Sequence, residues 1–344
     1  MHSDFSKVGH PTQLYRVEES RLVGGKGDGM RLLNLHSHSG LQVTLLPDRC
    51  LDPARVEYKG MNLGFFSPCG YVAPAHYDCE DFLRSFTAGF MTTCGLKNAG
   101  ADGVDEGEKC VTHGRISNTP CENLAYHADY TNDQGKITVS GTMNEAIIFN
   151  EKLQLHRTVT LQGNTVEFHD TVTNLGGETQ PLMILYHVNM GYPLLDSCLE
   201  MMVPAHTTKA RDPRAQEGID AWHQIPAPEA GFAEQCYYHD IAEVDGQKAV
   251  AVFNPKLGIG LRMDYSADSL DSFTEWKMCG VRDYVLGLEP SNCHVEGHAK
   301  MRADGRLHFI EPMESVDYTL RFTVFEADEA DGVRNDLMGR IQGE

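Results

Sequence analysis

The sequence predicts an all-β protein: a large antiparallel β-sandwich with a few short helices. Many short apolar runs are joined by turn residues, and no alternation of strands and helices indicates a parallel sheet. The strongest single pattern is a long hairpin, in which Lys152–Leu161 and Thr165–Asn174 flank a turn at Gln162-Gly163-Asn164. The 344 residues would suffice for two average domains, but sandwiches often form one, so we predict a single domain over residues 1–344.

The first third of the chain, after a lead-in over residues 1–40, is predicted to contain a strand, a hairpin, a helix and a loop. The helix is expected because an acidic first turn precedes Phe82, Leu83 and Phe86, which would share one face. The loop is expected because it contains five glycines. The bounds are Leu41–Leu46 for the strand, residues 55–63 for a hairpin turning at Lys59-Gly60, Asp78–Phe86 for the helix and Ala88–Gly107 for the loop.

The rest of the chain continues the pattern of short strands. Only the tail, residues 328–344, recovers a helical rhythm of apolar residues. Further strands are predicted at Pro181–His187, Lys248–Phe253, Gly258–Tyr265, Tyr284–Leu288, Arg306–Ile310 and Tyr318–Phe325.

Composition excludes several classes of function. The formal net charge of −20 argues against nucleic acid as a partner, because phosphate backbones bind basic surfaces. No run approaches the 18 or so apolar residues of a membrane span, and no apolar segment follows the N-terminus, so we expect no membrane association. The ten cysteines are scattered singly, as reduced thiols of a cytoplasmic protein would be.

Two polar residues stand where apolar strands are expected to end. His187 follows the run 181–185 and would share a strand face with Leu185 and Asn189. Glu289 follows Tyr284–Leu288 directly, and a charge at the end of a core strand is costly unless it is paired or used. The alternative interpretations are a histidine satisfied by a neighbouring carbonyl and a glutamate that reaches water.

Two more polar clusters also follow predicted strands or loops. Arg49 lies near Asp52, and His113 would share a face with Arg115 if that segment is extended. Surface ion pairs, which contribute about 0–1 kcal/mol, are the alternative. Four such clusters in one β-rich chain favour a shared concave site. The histidines at 294 and 298 have helical spacing, but Gly297 argues against a zinc-binding helix, and we predict no metal site there.

At this point the chain resembles the aldose 1-epimerase (galactose mutarotase-like) superfamily, and more closely its little-characterised bacterial branch of aldose epimerase-like proteins. The match spreads over about positions 41–325 in the family's order. The stretches that carry it are Arg49-Cys50-Leu51-Asp52, Tyr58-Lys59-Gly60, Thr93-Cys94-Gly95-Leu96-Lys97-Asn98-Ala99-Gly100, His113-Gly114-Arg115, Tyr186-His187-Val188-Asn189-Met190-Gly191 and Tyr284-Val285-Leu286-Gly287-Leu288-Glu289-Pro290.

The resemblance implies a large antiparallel sandwich that binds a sugar in an open groove. It implies that His187 is the general acid, Glu289 is the base and His113 binds the sugar. The family's sugar-binding aspartate falls in a region where this chain has a different residue order, so either of two residues takes that role. The expected substrate-binding residues are therefore Arg49, Asp52, Lys97, Asn98, His113, Arg115, Asn189, and His239 or Asp240.

These residue types suit the interconversion of sugar anomers. A base takes the proton of the C1 hydroxyl while an acid protonates the ring oxygen, so the ring opens, rotates about C1–C2 and recloses. A glutamate of pKa about 4.3 and a protonated histidine of pKa about 6.5 can fill these roles. We therefore predict a sugar 1-epimerase that needs no cofactor.

Other functions on the same fold remain open. One alternative is a keto-sugar epimerase, isomerase or lyase, with or without a metal held by His113, His187 and Glu289. Another is a sugar-binding protein without activity. Arg49, Lys97 and Arg115 indicate an acidic or phosphorylated sugar, because guanidinium groups pair well with such anions. The partner is predicted to be a small sugar or sugar acid, and the protein a monomer or a homodimer.

Overall fold

The computed structural model describes residues 5–131 and 135–341. Every ladder between the strands of these residues is antiparallel. The strands are β1 (Arg16–Arg21), β2 (Arg31–His36), β3 (Leu41–Leu46), β4 (Asp52–Tyr58), β5 (Met61–Asn62), β6 (Phe65–Phe66), β7 (Ala88–Gly89), β8 (Met91–Leu96), β9 (Gly103–Asp105), β10 (Glu108–Cys110), β11 (Glu122–Asp129), β12 (Lys136–Ala146), β13 (Lys152–Gln162), β14 (Thr165–Asn174), β15 (Gln180–Met190), β16 (Glu200–Met202), β17 (Ala205–Ala210), β18 (Gln235–Ile241), β19 (Glu243–Val244), β20 (Gln247–Asn254), β21 (Ile259–Ser266), β22 (Ser272–Cys279), β23 (Tyr284–Ser291), β24 (His308–Ile310) and β25 (Ser315–Glu326).

Three large sheets build the sandwich. The first has the order β1-β2-β3-β4-β5, and the second has the order β11-β12-β13-β14-β25-β21-β20-β16, with β19 beside β20. The third has the order β17-β18-β22-β23-β15-β24, with β8 beside β15. Buried side chains from all three sheets, among them Val43, Phe168 and Tyr186, belong to one hydrophobic core. The predicted antiparallel sandwich is therefore confirmed.

The central hairpin and most of the predicted strands are present. Gln162 pairs with Thr165, so the hairpin turns where the glycine was expected to permit it. The strands that carry His187 and Glu289 do not end there, because β15 continues to Met190 and β23 to Ser291. Alternate residues after His187 still point into the core, which keeps the strand paired and buried.

The helices are few and short. The tail forms α3, as predicted, but the predicted helix over Asp78–Phe86 is wrong: only one 3-10 turn forms there. The reason is that Phe82 and Phe86 contact histidine rings, whereas Leu83 is 71% exposed, so the three do not share a face. The α-helices are α1 (Pro213–Gln216), α2 (His298–Ala303) and α3 (Ala330–Gly339), and the 3-10 turns are Phe5–Lys7, Pro11–Gln13, Gly25–Gly27, Pro74–His76, Phe82–Arg84, Ile116–Asn118 and Ile219–Ala221.

The predicted loop over Ala88–Gly107 contains a fully buried strand, β8, so that prediction was wrong in part. Gly95 serves close packing there, since a Cβ atom at this position would overlap the carbonyl oxygen of Met183 on β15. Some glycines in this segment therefore mark loops, whereas Gly95 allows two neighbouring strands to approach closely. In the described part of the chain, no helix is long and apolar enough to cross a membrane.

A buried ionic network fixes β15 from its core side. Arg157 contacts Asp52 at 2.6 Å and donates two hydrogen bonds to Asp170, at 2.8 and 2.6 Å. The hydroxyl of Tyr186 donates to the same Asp170 carboxylate at 2.7 Å. Because successive side chains point to opposite faces, holding Tyr186 also fixes the next residue, His187, on the other face of the strand.

Candidate active site

The register of two neighbouring strands brings His187 and Glu289 together. Leu185 pairs with Ser291 and Val188 with Leu288, so the same register places His187 directly opposite Glu289. Nε2 of His187 lies 3.3 Å from Oε1 of Glu289. Residues 102 positions apart in the sequence thus form one pair on the floor of a cavity.

The cavity above this pair has a volume of about 450 Å³ and is also lined by His113. His113 has a positive φ of 55° in a tight loop, and its Nδ1 accepts a hydrogen bond from the backbone N–H of Gly100 at 3.3 Å. Its ring centroid lies 5.6 Å from that of His187. Three of the predicted site residues, His113, His187 and Glu289, therefore share one cavity.

The His187–Glu289 pair is almost fully buried, and its polar atoms are incompletely satisfied. Glu289 is 2% exposed and His187 6% exposed. Nδ1 of His187 and Oε1 of Glu289 accept or donate no hydrogen bond of good geometry among the described residues, although Oε1 lies 3.3 Å from Nε2 of His187. Buried polar groups are normally paired, so incompletely paired atoms in two residues that line one cavity are unusual.

Burial drives both members of the pair toward their neutral forms. It raises the pKa of the Glu289 carboxyl well above its ordinary value, and the nearby carboxylate of Glu234 adds to the effect. It lowers the pKa of His187 to about 3, with a further contribution from His113, whose own pKa burial lowers to about 4. Burial therefore favours the state in which Glu289 carries the proton that the pair shares and His187 is neutral.

Aromatic rings surround the pair. The ring centroids of Phe86 and Trp276 each lie 5.3 Å from that of His187. Phe82 packs against both Phe86 and His113, at 4.9 and 5.0 Å between centroids. These rings cover part of His187 and give the cavity an apolar surface.

One side of the cavity carries a chain of charged and polar groups. Arg211 donates to Glu234 at 2.9 Å and to Asp212 at 2.8 Å. The second oxygen of Glu234 accepts from the indole N–H of Trp276 at 2.7 Å. Among the described residues that line the cavity, Arg211 is the sole lysine or arginine, and its charge is already paired.

The structure places Arg49 and Asp52 outside this cavity. Arg49 is buried and donates to the carbonyl oxygens of Val72, Ser85 and Ser117 and to the hydroxyl of Thr87. Through Ser85 and Thr87 it therefore holds the residues on both sides of Phe86. Asp52 belongs to the Arg157 network and also accepts from the backbone and hydroxyl of Thr93.

Lys97, Asn98 and Arg115 also lie outside the cavity. Lys97 pairs with Glu108 at 2.6 Å and with Glu151 at 3.4 Å. Asn98 donates to two backbone carbonyls, those of Ala101 and Val111, and so joins the loops that carry cavity residues. Arg115 is exposed, and the segment after His113 turns into a 3-10 helix, so the two side chains do not share a face.

The remaining predicted residues have structural surroundings. Asn189 is fully buried and donates to the carbonyl oxygens of Gly89 and His187. His239 points to the core side of the third sheet, where it contacts Glu275 at 3.0 Å. Asp240 is exposed on β18 and lines a different groove. Neither His239 nor Asp240 lines the cavity.

Sequence patterns did not reveal Trp276, Glu234 or Arg211. The strand that carries Trp276 was not predicted. Glu275 and Lys277 occupy its inward positions, so the strand lacks the alternation of apolar and polar residues by which strands are recognised. These two charges lie 3.4 Å apart in the core. Trp276 is one of only two tryptophans in the chain, and that rarity was the available signal.

Within residues 5–131 and 135–341, no group of three His, Cys, Asp or Glu side chains is arranged to hold a metal ion. The two histidines at 294 and 298 do not converge. His294 stacks on Tyr238 at 3.7 Å, whereas His298 contacts Asp105 at 2.7 Å. The trio considered from the sequence, His113, His187 and Glu289, shares a cavity but not a metal-binding geometry.

The three-sheet sandwich with its cavity is the fold of galactose mutarotase-like proteins. A Klebsiella pneumoniae structure named a "putative aldose 1-epimerase" superposes with a TM-score of 0.90 at 25% identity, covering 96% of this chain and 88% of that one. A galactose mutarotase-like protein from Clostridium acetobutylicum gives a TM-score of 0.62 at 13% identity, covering 91% of this chain and 99% of that one. A galactose 1-epimerase from Lactobacillus acidophilus gives 0.57 at 12% identity, with coverage of 91% and 99%.

The chain belongs to the family described as a domain of unknown function, DUF4432, whose sequence model matches residues 27–324. No curated protein sequence matches this chain. The resemblance found in the sequence is thus confirmed at the level of fold and superfamily.

Proposed function

We propose that the protein is a sugar 1-epimerase that interconverts the anomers of an aldose, with His187 and Glu289 as its acid–base pair. The observation that carries this proposal is the buried pair itself, 3.3 Å apart and with orphaned polar atoms beside a cavity of about 450 Å³. A cavity of this size suits a small sugar. The Klebsiella relative's name is consistent with the proposal.

The two residues hold one proton between them, and ring opening needs one acid and one base. We place that proton on Glu289 in the free protein, because burial favours the neutral form of both groups; Glu289 then donates it to the ring oxygen while neutral His187 takes the proton of the C1 hydroxyl. The C1–O5 bond breaks and a free aldehyde forms. After rotation about C1–C2, O5 attacks the other face of C1, and both protons return.

The opposite assignment, with protonated His187 as acid and Glu289 as base, uses the same number of protons. It requires an ion pair in the free protein, which burial disfavours for both groups. We therefore reverse the roles expected from the sequence for the step that starts from the free protein. Each group then acts once as acid and once as base in a full anomer exchange.

We further propose a neutral sugar as substrate. The acidic or phosphorylated sugar suggested by the sequence depended on Arg49, Lys97 and Arg115, and all three lie outside the cavity. The cation that does line it, Arg211, is paired with two carboxylates. An anionic sugar would therefore meet carboxylates without gaining an unpaired cation.

The proposal is tested by NMR saturation transfer between anomers over a panel of neutral aldoses, uronic acids and sugar phosphates. We expect exchange above the spontaneous rate, proportional to protein concentration, for at least one neutral aldose. If the protein accelerates anomer exchange for none of the aldoses in the panel, the proposed function is wrong. The same incubations in D2O detect deuterium bound to carbon, which would instead identify a keto-sugar epimerase, isomerase or lyase.

Replacement of Trp276 by alanine is expected to raise the KM for the sugar about tenfold, equivalent to about 1.4 kcal/mol of binding. The ring supplies apolar surface and orients Glu234 through its N–H group. The variant Trp276→Phe keeps a ring but not the donor, and should give an intermediate KM. An unchanged KM in Trp276→Ala, with the protein folded by circular dichroism, would exclude Trp276 from the sugar site.

A further inference from the structure

The carboxyl group of Glu289 lies over Gly287, two residues earlier on the same face of β23. A Cβ atom at position 287 would lie closer than 3.0 Å to Oε1 of Glu289 and 3.3 Å from its Cδ. Such an approach is shorter than real Cβ atoms show. The carboxyl group therefore occupies space that any other residue at 287 would fill.

The backbone does not explain this glycine. Gly287 does not have a positive φ. It lies in a regular stretch of β23 that pairs with β15 on one side and with β22 on the other. Glycine weakens a strand, so a glycine inside a central strand usually marks a close approach of other atoms. Here the approaching group is the Glu289 side chain.

The neighbours of Gly287 define the shape of this space. On β15 its partner is Asn189, and on β22 its partner is Trp276. Directly paired residues on one face have Cβ atoms about 4.5–5.5 Å apart, so the missing side chain leaves a gap between these two. Oε1 of Glu289 lies in that gap and contacts His187 at its other side, 3.3 Å from Nε2.

We propose that Gly287 is a positioning residue that sets the place of the Glu289 carboxyl group, and through it the geometry of the acid–base pair. This inference rests on the proposed function for its effect on rate. A side chain at 287 would push the carboxyl group out of the gap and change its distance to His187 and to the sugar. Misplacement of a catalytic group by about 1 Å can cost on the order of 100-fold in rate.

The variant Gly287→Ala is expected to fold. The atom that its methyl group would meet most closely is the end of a flexible side chain, which can move. The next contact, the Cβ atom of Trp276 at 3.1 Å, needs a shift of only a few tenths of an ångström. The substitution should therefore displace the carboxyl group and leave the strand in place.

The experiment compares Gly287→Ala with Gly103→Ala, which adds the same methyl group to a strand glycine with no atom within 4 Å. We expect Gly287→Ala to lower kcat for anomer exchange about 10–100-fold with KM within about threefold, because sugar contacts elsewhere are kept. Gly103→Ala should match the unmodified protein. Unchanged kcat in Gly287→Ala would overturn the inference.

A second pair of variants separates positioning from a general effect on the strand. In Glu289→Asp the shorter side chain does not extend over residue 287, so adding Gly287→Ala to it should cost much less than in the natural background. An equal loss in both backgrounds would mean that Gly287 acts on the strand and not through Glu289.

The placement can also be tested without any sugar. Titration of the 13C-labelled Glu289 carboxyl group should give a different pKa in Gly287→Ala, because the group leaves its buried gap, and the same pKa in Gly103→Ala. If no aldose is exchanged but the titration changes as expected, the proposed function fails while the placement stands. An unchanged titration overturns the placement by itself.

Discussion

Replacement of Glu289 by glutamine is expected to lower catalysed anomer exchange by about 10²–10⁴-fold, to a rate near that of the spontaneous reaction. Glutamine keeps the shape of the side chain but can neither give nor accept the proton that ring opening transfers. The measurement is NMR saturation transfer with the best neutral aldose of the panel. The matched control is Glu243→Gln, which makes the same change at an exposed strand position and should leave the rate unchanged.

The same variant is expected to be more stable than the natural protein, and increasingly so at higher pH. Burial raises the pKa of Glu289 in the folded state above the unfolded value of about 4.3. The stability contributed by this group is therefore present below pH 4.3 or so and is lost as pH rises through the folded pKa. Glutamine has no such loss.

Melting temperatures measured from about pH 5 to about pH 9 should therefore diverge, with Glu289→Gln above the natural protein and the difference growing with pH. Glu243→Gln should show no such trend. A pair of curves that stay parallel would contradict a raised pKa at Glu289. Full exchange activity in Glu289→Gln would exclude this residue from the chemistry, whatever the melting curves show.

Replacement of Arg157 by methionine is expected to lower the free energy of unfolding by about 3–5 kcal/mol. Arg157 is fully buried between Asp52 and Asp170, so its removal leaves two carboxylates in the core without their cation. Methionine fills much of the same volume, so the loss reports the charge and not a cavity. Urea unfolding followed by circular dichroism measures it.

Arg321→Met is the matched control for this loss. Arg321 pairs with Glu167 between β25 and β14 of the second sheet, but its side chain is 56% exposed. Its removal should therefore change the free energy of unfolding by at most about 1 kcal/mol. Similar losses in the two variants would mean that the Arg157 network adds no more to stability than a surface ion pair.

Much of the fold could be predicted from local patterns. The hairpin β13–β14 alternates strictly around a glycine turn, and the tail has a helical period that α3 matches. Predictions failed where packing overrode local preference. The apolar residues of Asp78–Phe86 have helical spacing, but Phe82 and Phe86 pack against histidine rings and only a 3-10 turn forms. The strand β22 was missed because its inward-facing charged residues break the alternation of apolar and polar residues.

The sequence pointed to the right kinds of residue for the candidate site, but it could not tell which of them line the cavity. Polar residues in apolar strands drew attention to His187 and Glu289, which do line one cavity. The same logic selected Arg49 and Asp52, which are buried for structural reasons, because sequence alone does not distinguish a charge kept for a ligand from one satisfied by backbone carbonyls or a partner. Only the hydrogen-bond partners separate the two cases.

The sequence by itself determined that this chain is an antiparallel sandwich, since alternation and turn residues act over a few neighbouring positions. It also determined that a histidine and a glutamate directly follow two of its apolar segments. Only the tertiary structure decided that these two face each other, because strand register joins residues far apart in the chain. It likewise decided that Gly287 leaves the space for the Glu289 carboxyl group, since that space exists only when three strands lie side by side.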